Sequence, residues 1–139
     1  MPAKDIYLSK SIEQLEGVWE RFDPPTPLLE KVHRFRKVPI SELTIEQLRL
    51  LIGQNVGLIY LIPIAIQKLR ANIFAEGDLY EGDLLSSVLT SEDSFWEQHS
   101  LLKRELQDLL KGNRPVIEEK NVANQYRQLI KKIDAFQLK

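Results

Sequence analysis

SELTIEQLRLLIGQNVGLIYLIPIAIQKL, residues 41–69, carries two helix signals in succession. Thr44 and Gln47 have the spacing of a capping box, with Leu43 and Leu48 at the staple positions before and after it. Such a box satisfies two of the backbone N–H groups that a helix start leaves without intrahelical partners, so a helix is expected to begin here. The apolar run from Val56 to Ile66 follows, and Ile64, Ala65, Ile66 and Leu69 continue it at helical spacing. As a helix, a run this short rises only about 16 Å against roughly 30 Å of hydrocarbon, so it reads as a buried core element rather than a membrane span. Proline is tolerated at a helix start, and the simplest arrangement puts Pro63 in the first turn of a central helix.

The same periodicity extends in both directions. Ser11 and Gln14 form a second capping box, after which Ile12, Leu15, Val18, Trp19 and Phe22 mark one face of a short helix that DPPTP, residues 23–27, should stop. Thr26 and Pro27 supply an N-cap and a first-turn proline for a helix through Leu28, Leu29, Val32 and Phe35. It runs into VHRFRK, where Arg34, Arg36 and Lys37 read as a solvated helix end. Downstream, LLSSVL forms a short helix with Asp83 as its expected N-cap. SEDSFWEQHSLLKRELQDLLKG, residues 91–112, places Phe95, His99, Leu102, Leu106 and Leu109 at helical spacing and ends on Gly112. NRP turns the chain, and a last helix from about Ile117 aligns Val122, Tyr126, Leu129, Ile130, Ile133 and Phe136. No two-residue alternation requires a strand. The expected architecture is all-α: a single compact domain over residues 1–139, with about seven helices around the central apolar one.

Composition narrows the function. With 43% hydrophobic and 28% charged residues in 139, the chain suits one folded domain. It has no cysteine, which removes disulfides, thiolate metal sites and thiol nucleophiles, and MPAKDIYLSK at the start has no secretory pattern. A cytoplasmic protein is expected. Charge is uneven along the chain: residues 1–39 sum to +1, residues 40–99 to −6 and residues 100–139 to +4. Such asymmetry speaks of partners rather than of fold.

Chemistry finds little support. The two histidines are far apart in sequence, His99 on an apolar stripe and His33 in a basic helix end, and no nucleophile elbow, phosphate loop, zinc or dinucleotide motif occurs. No catalytic residue, cofactor or metal ion is therefore expected. The most unusual phrase is EGDLYEGDL, residues 76–84, which sets Glu76, Asp78, Glu81 and Asp83 around Tyr80 without a basic residue between them. Read as a calcium loop, DLYEGDLLSSVL offers leucine, tyrosine, glycine and leucine at four of its first seven positions, and the template fails. Asp78 and Asp83 could pair as in glycoside hydrolases, but no tryptophan-lined cleft accompanies them. Helix capping explains one or two of the four acids. Mutual repulsion of about half a kcal/mol per pair becomes attraction beside a basic partner, and tyrosine is a common interface anchor. The loop reads as a surface to be bound, with Glu92 and Asp93 extending it. The competing reading is a nucleic-acid-binding regulator, with Arg114, Lys120, Arg127, Lys131 and Lys132 on phosphates and Tyr126 on a base, although Glu118, Glu119 and Asp134 dilute that charge.

Taken together, PxSELTxExLRxLIGQ, GLxYLxPxA and EGDxYxGDLL across residues 37–89 resemble immunity proteins of bacterial contact-dependent growth inhibition (CDI) systems, with GVWERFDPP a looser echo. The resemblance implies a non-enzymatic cytoplasmic antidote. Its partner would be the toxin domain from the C-terminus of a large exoprotein, commonly a nuclease and in some relatives ribonuclease-like. It implies no cofactor, membrane or nucleic-acid partner and leaves the oligomeric state open. The toxin contacts expected from charge and resemblance together are Glu76, Asp78, Tyr80, Glu81, Glu92 and Asp93, with Asp83 assigned more to capping.

Overall fold

The computed structural model describes residues 7–19 and 26–139, and the readings made for Phe22 and Asp23–Pro25 lie outside them. Eight α-helices follow one another among the described residues: α1 (Ile12–Glu16), α2 (Pro27–Phe35), α3 (Ile45–Gly53), α4 (Leu58–Ala71), α5 (Asp83–Leu89), α6 (Asp93–Gln98), α7 (Ser100–Lys120) and α8 (Arg127–Gln137). Short 3₁₀ turns at Ile40–Glu42 and Val122–Asn124 join α2 to α3 and α7 to α8. The architecture is all-α. Both capping boxes form in full, and Thr26 caps α2 through the N–H of Leu29. Leu43 and Leu48 are both buried.

Helix α3 packs against α2, α4 and α5, while α5 also meets α4 and α8, and α7 meets α4, α6 and α8. The innermost side chains come from three of these helices: Leu48, Leu51 and Ile52 of α3, Leu61, Ile62, Ala65 and Leu69 of α4, and Leu84, Leu85 and Val88 of α5. Helix α4 is buried round most of its circumference, as a central helix requires. At the other end of the molecule Trp96 packs edge-on against Phe95 and Phe136, joining α6 to α8.

Five local expectations outside the acidic phrase change. Helix α4 begins one turn earlier than proline placement suggested, so Pro63 lies inside it. An interior proline costs about 3 kcal/mol, whereas burying Leu58, Leu61 and Ile62 is worth about 1.5–3 kcal/mol each, so burial wins. Helix α1 stops at Gly17 (φ 103), leaving Val18 exposed. The helix expected over residues 91–112 breaks at His99 (φ −129, ψ 62), which adds the eighth helix. His99 Nδ1 lies 2.8 Å from the Phe95 carbonyl oxygen and its ring stacks on Phe95. Conversely, α7 runs straight through Gly112 and Pro115. It is anchored past them by buried Ile117, by Arg114 bound to Glu118 and Asp134, and by Lys120 over the Phe74 ring. The reversal comes at Ala123 (φ 54) and Asn124 (φ 60), so the last helix begins at Arg127 rather than near Ile117, and Val122, expected on its apolar stripe, is exposed in the 3₁₀ turn while Tyr126 precedes the helix.

Arg36 is the fifth change, since it is fully buried rather than solvated. Its guanidinium lies over the Trp19 ring at 4.1 Å, donates to the Gly17 carbonyl at 2.9 Å and approaches Glu16 at 3.9 Å. The backbone around it is tied to the N-terminal segment: Glu13 N–H donates to the Arg36 carbonyl, Ile40 N–H to Lys10 and Ser41 N–H to Leu8.

Candidate functional site

The acidic phrase folds into a ridge over two carboxylates. Asp83 is buried, and its oxygens accept from the N–H groups of Gly77 (2.6 Å), Leu79 (3.0 Å) and Tyr80 (3.3 Å). It is the first residue of α5, with Gly82 (φ 89) as the cap, so it organises the preceding loop rather than the helix start. Glu46 of α3 reaches the same loop and accepts the Asp78 N–H at 2.8 Å. Arg49, one turn along α3, grips Glu46 with two donors at 2.6 and 2.5 Å and stands 3.8 Å from Asp83, so one guanidinium offsets two carboxylates. The fit leaves no space for a side chain at Gly77, whose added Cβ would lie 2.6 Å from a Glu46 oxygen and 3.1 Å from the Glu46 Cα.

Glu81 is tied on the other side. Its Oε1 accepts the Tyr126 hydroxyl at 2.5 Å and pairs with the Lys120 ammonium, while the Tyr126 ring tilts against Phe74. The ion pair with Lys120, and then the tyrosine hydrogen bond, hold the Glu81 carboxyl below the usual glutamate range, and Glu81 in turn raises Lys120 and Tyr126. What remains on the crest is Glu76, Asp78, Leu79 and Tyr80, all exposed, Leu79 at 62% and Tyr80 at 48%. Among the described residues neither the Glu76 nor the Asp78 carboxylate has a hydrogen bond or ion pair. Leu79 joins the site from the structure alone; its sequence signal is an apolar residue amid acids.

A groove runs beside the ridge. Tyr80, Glu81 and Ser86 form one wall, and Tyr126, Leu129 and Lys132 the other. Glu92 and Asp93 lie beyond the opposite end of α5, about 10 Å of helix away, where the Glu92 N–H donates to Asn55 and Asp93 pairs with Lys139. Of the nine basic side chains of the C-terminal third, Arg114, Lys120 and Lys139 hold carboxylates. Among the described residues there is no His/Cys/Asp/Glu cluster fit for a metal ion and no helix long and apolar enough to cross a membrane.

The family model described as CDI immunity proteins matches residues 13–106, a span containing α3, α4, α5 and the whole ridge. The chain belongs to the CDI immunity proteins. Among curated proteins and solved structures, none matches. The partner of this immunity protein is accordingly a CDI toxin, and the ridge lies within the part of the chain that defines the family.

The Glu46 pairing makes the ridge acid-sensitive. Hydrogen bonding from Arg49, with the Asp78 N–H adding to it, holds the Glu46 carboxyl below the ordinary glutamate range. A carboxylate with a lower pKa folded than unfolded contributes stability that is complete above the ordinary value of about 4.3 and is lost as pH falls through the native value. Urea unfolding from about pH 6 down to pH 3 is expected to show wild type losing stability more steeply than Glu46→Gln, the curves converging at the acid end. Parallel curves would contradict the pairing.

Proposed function

We propose that this immunity protein binds its toxin in the cytoplasm as a single helical domain, residues 1–139, and that the ridge supplies part of the contact. The carrying observation is an acidic crest on a fixed base: Glu76 and Asp78 exposed, followed by exposed Leu79 and Tyr80, above backbone held by Asp83 and Glu46. A pre-ordered surface binds without the entropic penalty of ordering a loop. The same crest suits a nuclease toxin, because a cleft that holds phosphates must be positive and an acidic ridge complements it. In this reading Tyr80 is the anchor, Glu81 adds field from the flank, Asp83 works from beneath, and Glu92 and Asp93 form an outlying acidic spot.

The test is titration calorimetry and stopped-flow association with the cognate CDI toxin domain. Doubly substituted Glu76→Lys/Asp78→Lys leaves Glu81 and Asp83 in their structural pairings. It should bind roughly 10- to 100-fold more weakly, mainly through slower association, and wild-type association should slow with added salt. Unchanged affinity in a folded double variant removes the ridge from the interface.

A further inference from the structure

The groove beside the ridge holds a cation that no carboxylate of the described chain answers. Lys132 is half-buried on α8, and its ammonium donates to the hydroxyl of buried Ser86 at 2.6 Å. Lysine carries three donors, so two remain without an acceptor among the described residues. Glu81, the acid in the same groove, is already held by Lys120 and Tyr126, and whereas Arg127 and Lys131 on the same helix are exposed to water, Lys132 is partly buried. Partly desolvating an ammonium against a neutral hydroxyl is unfavourable without a counter-charge. Gln125 and Gln128, both exposed at the groove, add amide donors. The local excess is positive, directly beside a crest that is negative.

We propose that this groove receives an aspartate or glutamate side chain of the toxin domain, whose carboxylate takes the open donors of Lys132 while Tyr80 and Leu129 flank its stem. The inference rests on the immunity reading and deepens it. The contact surface then has two signs, an acidic crest for the partner's basic cleft and a cationic notch for one acid at a fixed distance from it. A single-sign surface attracts any basic protein, whereas a bipolar one sets register and rejects basic partners that lack the acid.

Lys132→Gln tests this with least disturbance, since the amide can still donate to Ser86 while the charge is gone. Its affinity for the cognate CDI toxin domain should fall about 10- to 100-fold and that of Lys132→Glu further. Arg127→Glu, exposed on the same helix outside the groove, should stay within about twofold, and melting temperatures of all three should match wild type. A lysine substituted for one toxin acid should restore binding to Lys132→Glu. If folded Lys132→Gln and Lys132→Glu both bind as wild type does, the groove is not an acid receptor, although the immunity reading stands. If wild type itself ignores the toxin domain, the reading beneath the inference fails as well.

Discussion

Replacing Asp83 with alanine is expected to destabilise the protein by about 3–5 kcal/mol, because three loop N–H groups lose their acceptor and Arg49 keeps only one of its two carboxylates. For a chain of this size that is a drop of roughly 10–20 °C in melting temperature. Asp83→Asn keeps one acceptor oxygen in place, and its loss should be nearer 1–2 kcal/mol. Denaturant titration separates the two, and an alanine variant within about 1 kcal/mol of wild type shows that the ridge does not depend on this carboxylate. Because the ridge is shaped by Asp83, the alanine variant should also bind toxin poorly at temperatures where it remains folded. That loss tracks loop order rather than charge, which distinguishes it from the Glu76/Asp78 substitutions.

The second large effect sits far from the ridge. Trp96 is buried between Phe95 and Phe136, with ring centroids 5.1 and 5.0 Å away, and its indole N–H has no acceptor among the described residues. Trp96→Ala should cost about 3–5 kcal/mol by opening a cavity where α6 meets α8. Trp96→Phe is expected to cost less than about 1.5 kcal/mol, since the lost volume is partly offset by removing an unsatisfied buried donor. A phenylalanine variant as damaged as the alanine one means that the indole N–H does have a partner, which the cavity explanation omits.

Signals that act within a few residues were legible in the sequence. The capping boxes at Ser11 and Thr44 form where local rules put them, and Leu129, Ile133 and Phe136 of the last expected stripe are buried. Contacts between distant segments were not legible. Arg36 looks like a surface residue beside Arg34 and Lys37, and only the return of the N-terminal segment with Trp19 buries it. Gly112 and Pro115 spell a stop, yet α7 continues because Ile117, Arg114 and Lys120 find partners on other elements. The break at His99 has no glycine or proline to announce it. The site divides the same way: the cluster Glu76, Asp78, Tyr80, Glu81 and Asp83 is visible as text, but its sorting into crest, flank and base depends on Glu46 and Tyr126, 32 and 45 residues away from the groups they bind. Lys132 read as one basic residue among several, and nothing local marks it as lacking an acid.

The two walls of the groove come from different parts of the chain: the ridge lies inside the family-matched span and the Tyr126–Lys132 wall outside it. Lys120 and Tyr126 tie the second to the first at Glu81, Lys132 ties it to Ser86, and Leu129 packs against Gly82. That segment is also core, since Leu129, Ile133 and Phe136 are buried and Phe136 packs on Trp96. Retuning of the proposed notch is therefore open to its exposed rim, Gln125 and Gln128, while the buried face of α8 must stay as it is to keep the hairpin docked.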